Sequence, residues 1–250
     1  MKIPGRVWTA IAVAMAIMLV AGYVLMRGIF RVVDTGKVAE GPLGTAVYAV
    51  RDSFANLYVI TDGRTTFCID AGTDRKSLAG EFAKIGIDPA SVSRVYFTHS
   101  DRDHVAGAPL FSRAVFYIPS LEVPLADGKE ARVFFWNKRK QEVPVNYVPV
   151  KEGTAARAGS FTVLPISTPG HTPGSASYLI NGKWLFTGDL LRLKDGQAVP
   201  MPGGFNMDTA RAAGSIRELG KRTRGVQLLL TAHTGVTADV AGAFVEPAAK

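Results

Sequence analysis

Residues 7–26 are apolar or small without a single charge, and from residue 45 onward apolar positions fall into short runs separated by turn residues. Twenty helical residues span about 30 Å, the thickness of a bilayer's hydrocarbon core. The first run therefore predicts a transmembrane helix. A cleaved signal peptide is the alternative, although Leu25-Met26-Arg27 makes a poor cleavage site. A buried core helix would need a polar face that the run lacks. Residues 1–30 are thus expected as a membrane anchor, 31–44 as a linker punctuated by Gly36, Gly41, Pro42 and Gly44, and 45–250 as the functional domain.

Within that domain, residues 45–51, 56–61 and 65–70 alternate or run apolar in the manner of strands, and Asp62-Gly63 predicts a hairpin. Residues 74–85 place Leu78, Phe82 and Ile85 on one helical face, with Gly86 at the end. Further strands are expected at 94–98, 114–118, 145–150, 160–166, 176–180, 183–187 and 226–230, and a helix at 208–219 with Asp208 as its cap. Residues 119–144 read as irregular. Strands, interspersed helices and strands again predict two packed sheets with helices outside.

The chain has 250 residues, 47% hydrophobic and 20% charged, enough for one sizeable core and against extensive disorder. Lys2, Arg6, Arg27, Arg31 and Lys37 against Asp34 and Glu40 put +3 of the +8 net charge in the first 40 residues. The mildly basic remainder suits an anionic substrate or surface and does not call for nucleic acid. Positive charge on both flanks of the apolar run weakens orientation by the positive-inside rule. The short N-terminal flank favours an extracytoplasmic domain on a single-pass anchor. The lone Cys68 excludes an intrachain disulfide and a cysteine-rich zinc cluster, and its apolar neighbours predict a buried, inert thiol.

Four histidines, His99, His104, His171 and His233, each fall in a loop past an expected strand. A single histidine is usually a bystander, but four in post-strand loops point to a site, because rigid sheets present functional groups on such loops. His99, Asp101, Asp103 and His104 put four oxygen or nitrogen donors within six residues. A solvated acidic turn is the plainer reading of that segment alone. A two-metal pocket would need an anionic bridge as well, and Asp189, in a loop after 183–187, is the best-placed candidate.

With these segments the sequence resembles the metallo-β-lactamase superfamily, whose signature is a His-x-His-x-Asp-His loop followed by a distant His, an Asp and a last His. The corresponding segments are Thr98-His99-Ser100-Asp101-Arg102-Asp103-His104, Thr168-Pro169-Gly170-His171-Thr172, Phe186-Thr187-Gly188-Asp189 and Ala232-His233, collinear from about residue 45 to 240. Thr66 to Gly72 is similar to the family's structural strand and turn. The resemblance implies a four-layer αββα sandwich. It also implies two divalent metal ions, zinc first, one held by His99, Asp101 and His171, the other by Asp103, His104 and His233, with Asp189 between them. One departure stands out: Asp101 replaces the family's second histidine. A carboxylate is a harder donor than imidazole and raises the prospect of iron or manganese.

The activity so implied is hydrolysis of an ester, lactone, thioester, lactam or phosphodiester bond by a metal-bound hydroxide, with Asp103 orienting the nucleophile and moving its proton. A small-molecule or lipid-like substrate would meet the aromatic and basic stretch at residues 134–140 or, alternatively, that stretch is a helix with a solvated basic face. Residues 200–207 are a second candidate for the entrance. Two rivals remain: a di-iron redox protein akin to flavodiiron proteins, which carry a glutamate where Asp101 lies, and a non-catalytic membrane-tethered binding module.

Overall fold

The computed structural model describes residues 5–41, 43–135, 137–140 and 142–245. Lys2, Pro42 and Trp136, which figured in the sequence reading, lie outside the described residues. The N-terminal run forms α1 (Gly5–Ile29), a unit of its own that ends at Arg31. Its segment Val7–Val24 is long and apolar enough to cross a membrane, a property that a signal sequence shares.

The second unit begins with β1 (Gly36–Glu40), β2 (Ala46–Asp52), β3 (Ala55–Thr61) and β4 (Thr66–Ile69), an antiparallel meander. Residues 36–40, expected within a linker, are thus an edge strand. The Asp62-Gly63 turn forms as its residue types dictate, the Asp62 carboxylate accepting from the amides of Arg64 and Thr65. Next come α2 (Arg75–Lys84), capped by the Asp74 side chain, then β5 (Val92–Tyr96), α3 (Arg102–Val105), β6 (Val115–Pro119) and α4 (Val123–Ala126). The expected strand at 94–98 ends two residues early, because the Thr98 amide leaves the ladder for the Asp70 carboxylate at 2.7 Å.

Strands β7 (Arg132–Phe134) and β8 (Asn137–Arg139) pair antiparallel, so the helical alternative for this stretch fails. After β9 (Tyr147–Val150) come β10 (Ala156–Ala158), β11 (Phe161–Ser167), β12 (Ala176–Ile180) and β13 (Trp184–Phe186). A small hairpin that the pattern did not announce, β14 (Leu191–Lys194) with β15 (Gln197–Pro200), precedes α5 (Thr209–Gly220), capped by Asp208. The chain closes with β16 (Leu228–Leu230), β17 (Val236–Thr237) and α6 (Val240–Ala243).

Two mixed sheets result, ordered β1-β2-β3-β4-β5-β6-β9 and β10-β11-β12-β13-β16-β17. Three apolar clusters define four layers. Val47, Tyr58, Ile60, Phe67 and Tyr96 from the first sheet meet Phe161, Tyr178, Trp184 and Phe186 from the second, all buried. Leu78 and Phe82 of α2 pack on the outer face of the first sheet, and Ala212, Ile216 and Leu219 of α5 on that of the second. The expected αββα sandwich is the observed one. Cys68 is buried among the first sheet's apolar residues, and burial pushes its thiol well above the usual range.

Candidate metal centre

All seven residues singled out from the sequence converge on one place. His99 and Asp101 lie between β5 and α3, Asp103 and His104 within α3, His171 after β11, Asp189 after β13 and His233 after β16. The donors of Asp103, His104, Asp189 and His233 lie within 4.8 Å of one another, and so do those of His99, Asp101 and His171. Asp189 stands between the two groups. Its Oδ1 is 3.3 Å from His104 Nε2 and 3.0 Å from His233 Nε2, while its Oδ2 is 3.5 Å from His171 Nε2. Gly188 (φ +50°) makes that turn, and a Cβ there would come within 2.5 Å of the Thr98 hydroxyl.

Each imidazole is held through Nδ1, which turns Nε2 inward. His104 Nδ1 donates to Asp70 Oδ2 at 2.8 Å, and His233 Nδ1 to the Phe54 carbonyl at 2.7 Å. The Thr98 hydroxyl gives its proton to Asp70, so it accepts from His99 Nδ1 at 3.0 Å. Asn206 donates through Nδ2 to the Met201 carbonyl, which leaves its Oδ1 to accept from His171 Nδ1 at 3.3 Å. Fixing one ring nitrogen by hydrogen bonding is how proteins orient the other toward a metal.

The inward-facing atoms call for a cation. Burial pushes the Asp189 carboxyl up, but the facing His233, His104 and His171 rings overcome it and hold it well below the usual range. Burial works against charge on His104 and His233 too, and the surrounding carboxylates prevail, raising His233 to about 10 and His104 well above its ordinary value. His99 Nε2, His104 Nε2 and Asp189 Oδ1 are buried with no hydrogen-bond partner, which is costly unless a cation satisfies them. Once a divalent ion displaces the Nε2 protons, imidazole and carboxylate at this spacing are a donor set for zinc or a similar ion.

Several supporting residues escaped the sequence reading. Asp70 was seen only as part of a strand and turn; it adopts φ +63° and orients both Thr98 and His104. Glu122, fully buried, accepts from the Ser100 amide and hydroxyl and from the Thr172 hydroxyl, tying the His99 loop to the His171 loop. Arg132 sits beside Asp101, its Nε 2.8 Å from Oδ1. No spacing rule ties these positions to the histidine motif. The Asp70 role predicts that Asp70→Asn weakens metal binding roughly 10- to 100-fold, the usual cost of losing a carboxylate behind a ligating histidine. Competition with a chromophoric chelator measures it.

Beside the cluster lies a cleft of about 530 Å³ lined by Asp101, Asp103, Arg132, Phe134, Arg102 and Arg139, among others. Phe134, Phe135 and Phe205 form one aromatic wall, with ring centroids 4.9 to 5.3 Å apart. Residues 200–207 thus contribute Phe205 to the wall, whereas Met201 is buried.

The profile of the metallo-β-lactamase superfamily matches residues 50–226. Among curated proteins, the chain is 28% identical over 137 residues to the probable polyketide biosynthesis zinc-dependent hydrolase BaeB of Bacillus velezensis, covering 53% of each. It is 27% identical over 143 residues to hydroxyacylglutathione hydrolase of Brucella ovis, covering 57% of this chain and 46% of that one. The match thus spans about half the length of these curated relatives. A solved B3 metallo-β-lactamase, described as the first with an active-site glutamic acid, superposes with a TM-score of 0.64 at 17% identity, covering 87% of this chain and 88% of that one.

Proposed function

Because the chain belongs to the metallo-β-lactamase superfamily, we propose that it is a metal-dependent hydrolase acting on an ester, thioester, lactone, lactam or phosphodiester bond of a substrate with an apolar part and a negative charge. The observation that carries the reading is the set of four imidazoles, each tied through Nδ1 and aimed through Nε2 at shared carboxylates. The hydrolase names of the similar curated proteins support the reaction type.

Asp103, His104, Asp189 and His233 would hold one divalent ion, with zinc the first choice. The family resemblance assigns a second ion to His99, Asp101 and His171, a subsite whose occupancy is taken up below. When bound, such an ion lowers the pKa of a coordinated water from 15.7 to about 7 and polarises the oxygen of the scissile group. The chain's own residues do the rest. Asp103, which borders both the cluster and the cleft, orients the attacking water and takes its proton on a carboxylate oxygen. Phe134 and Phe135, each about half-exposed, pack the apolar part of the substrate. Arg102 and Arg139 attract its negative charge. The helix α1 anchors the domain to a membrane, with the cleft on the extracytoplasmic side and open to small or lipid-like substrates.

A panel of the five bond types, assayed on the full-length protein in detergent, tests this reading. Turnover of at least one class, abolished by chelator and restored by zinc, is expected. Metal-loaded protein that hydrolyses none of them would argue for the binding-module alternative. On the substrate so found, Arg139→Glu should raise KM about tenfold with kcat little changed, since it alters attraction at the rim rather than the chemistry.

A further inference from the structure

The two donor groups differ in one respect: the three-donor group already contains a cation. Arg132, only 4% exposed, extends from β7 into the group. Its Nε donates to Asp101 Oδ1 at 2.8 Å and Oδ2 at 3.0 Å, and its Nη2 to His171 Nε2 at 3.1 Å. The guanidinium is itself fixed by backbone carbonyls, through Nη1 on Val133 at 2.5 Å and Nη2 on Phe205 at 2.6 Å. His171 donates through Nδ1 to Asn206, so Nε2 carries that ring's single available lone pair, which meets Arg132 Nη2 at 3.1 Å while Asp101 Oδ2, itself bonded to the guanidinium, lies 3.1 Å away on the other side. A lone pair given to an N–H cannot at the same time be given to a metal. Of the three donors, His99 Nε2 is the one left without a partner.

Charge points the same way. An aspartate at position 101 adds one negative charge relative to the family's histidine, and Arg132 returns one positive charge at bonding distance. A divalent ion among the same donors would then face a fixed guanidinium in a buried setting, where like charges repel strongly. In the four-donor group, by contrast, no arginine or lysine bonds to Asp103, His104 or Asp189 among the described residues. The two groups are therefore not equivalent metal subsites.

We propose that Arg132 is the resident cation of the His99–Asp101–His171 subsite, so that the chain holds one tight metal ion, among Asp103, His104, Asp189 and His233. A second ion enters only where the guanidinium withdraws. Arg132 also lines the cleft, so the fixed positive charge that a second metal would present to a substrate oxyanion comes from the side chain instead. This inference rests on the metal-dependent reading above.

The test is a cobalt(II) titration of the full-length, chelator-stripped protein in detergent, followed by visible absorption and by metal analysis after equilibrium dialysis. The wild type should saturate at one tight equivalent, with any second at least about 100-fold weaker. Arg132→Met should bind two equivalents within about tenfold of each other in affinity. The double variant Asp101→His with Arg132→Met, which supplies three imidazoles to the subsite, should do the same and decides the matter if the single variant loses its wild-type circular dichroism. Two tight equivalents in the wild type would overturn the proposal. One equivalent in the wild type and in both variants would overturn it too, while leaving the hydrolase reading in place. No bound cobalt in any of the three would overturn both.

Discussion

His104→Ala and His233→Ala should each strip the protein of its tight metal ion and lower hydrolysis at least about 10³-fold, a loss of roughly 4 kcal/mol in transition-state stabilisation. The size follows from where these rings sit. Both are buried, both face Asp103 and Asp189 through Nε2, and both are fixed from behind, by Asp70 and by the Phe54 carbonyl. Alanine removes a donor that no neighbouring side chain can replace without leaving its own hydrogen bond. Because an ion bound to the folded state stabilises it by mass action, wild-type protein should gain about 2.7 kcal/mol in zinc at 100 times Kd. The alanine variants should lose that gain. Metal analysis and thermal melts with and without zinc measure both effects. A variant that keeps its metal and its activity would remove that histidine from the ligand set.

The second large effect concerns stability. Glu122→Ala should destabilise the domain by about 3–5 kcal/mol, the cost of opening a buried, charged hydrogen-bonding centre. The carboxylate is wholly enclosed and accepts from Ser100 N at 2.9 Å, Ser100 Oγ at 2.6 Å and Thr172 Oγ1 at 2.6 Å. Its loss leaves three donors facing a void and frees the two loops that carry His99 and His171. For a domain of this size the melting temperature should fall by about 10 °C. Glu122→Gln keeps an acceptor oxygen for Ser100, and the Thr172 hydroxyl can turn to accept from the new amide, so it should cost less than half as much. Urea denaturation of the metal-free protein isolates this effect from ligation. An alanine variant melting within about 2 °C of wild type would show that Glu122 does not hold the loops together.

The seven candidate ligands were legible in the sequence because a metal site would demand particular side chains at the ends of particular strands, and the chain writes these as short local motifs. The layers were legible for a similar reason: the unbroken apolar run at residues 57–60 marks a strand buried on both faces, and the helical spacing of Leu78 and Phe82 marks the buried face of α2. What stayed hidden depends on contacts across long stretches of chain. Arg132 meets Asp101 from 31 residues away and Phe205 from 73, and its own segment, rich in charge and aromatics, reads as irregular. Glu122 falls in the stretch 119–144 that reads as irregular, yet it is the buried partner of two loops. The edge strand β1 sits among glycines that suggest a linker, and only its pairing with β2 reveals it. Asp101 was noticed as a departure from the family pattern, but that it faces a guanidinium could not be read from its own neighbourhood.

An anomalous diffraction map at the zinc edge, from crystals of the zinc-loaded protein, locates the tight ion directly. A strong peak enclosed by Asp103, His104, Asp189 and His233 is expected. A zinc-loaded crystal with its peak elsewhere, or with none among these four residues, would contradict that ligand assignment.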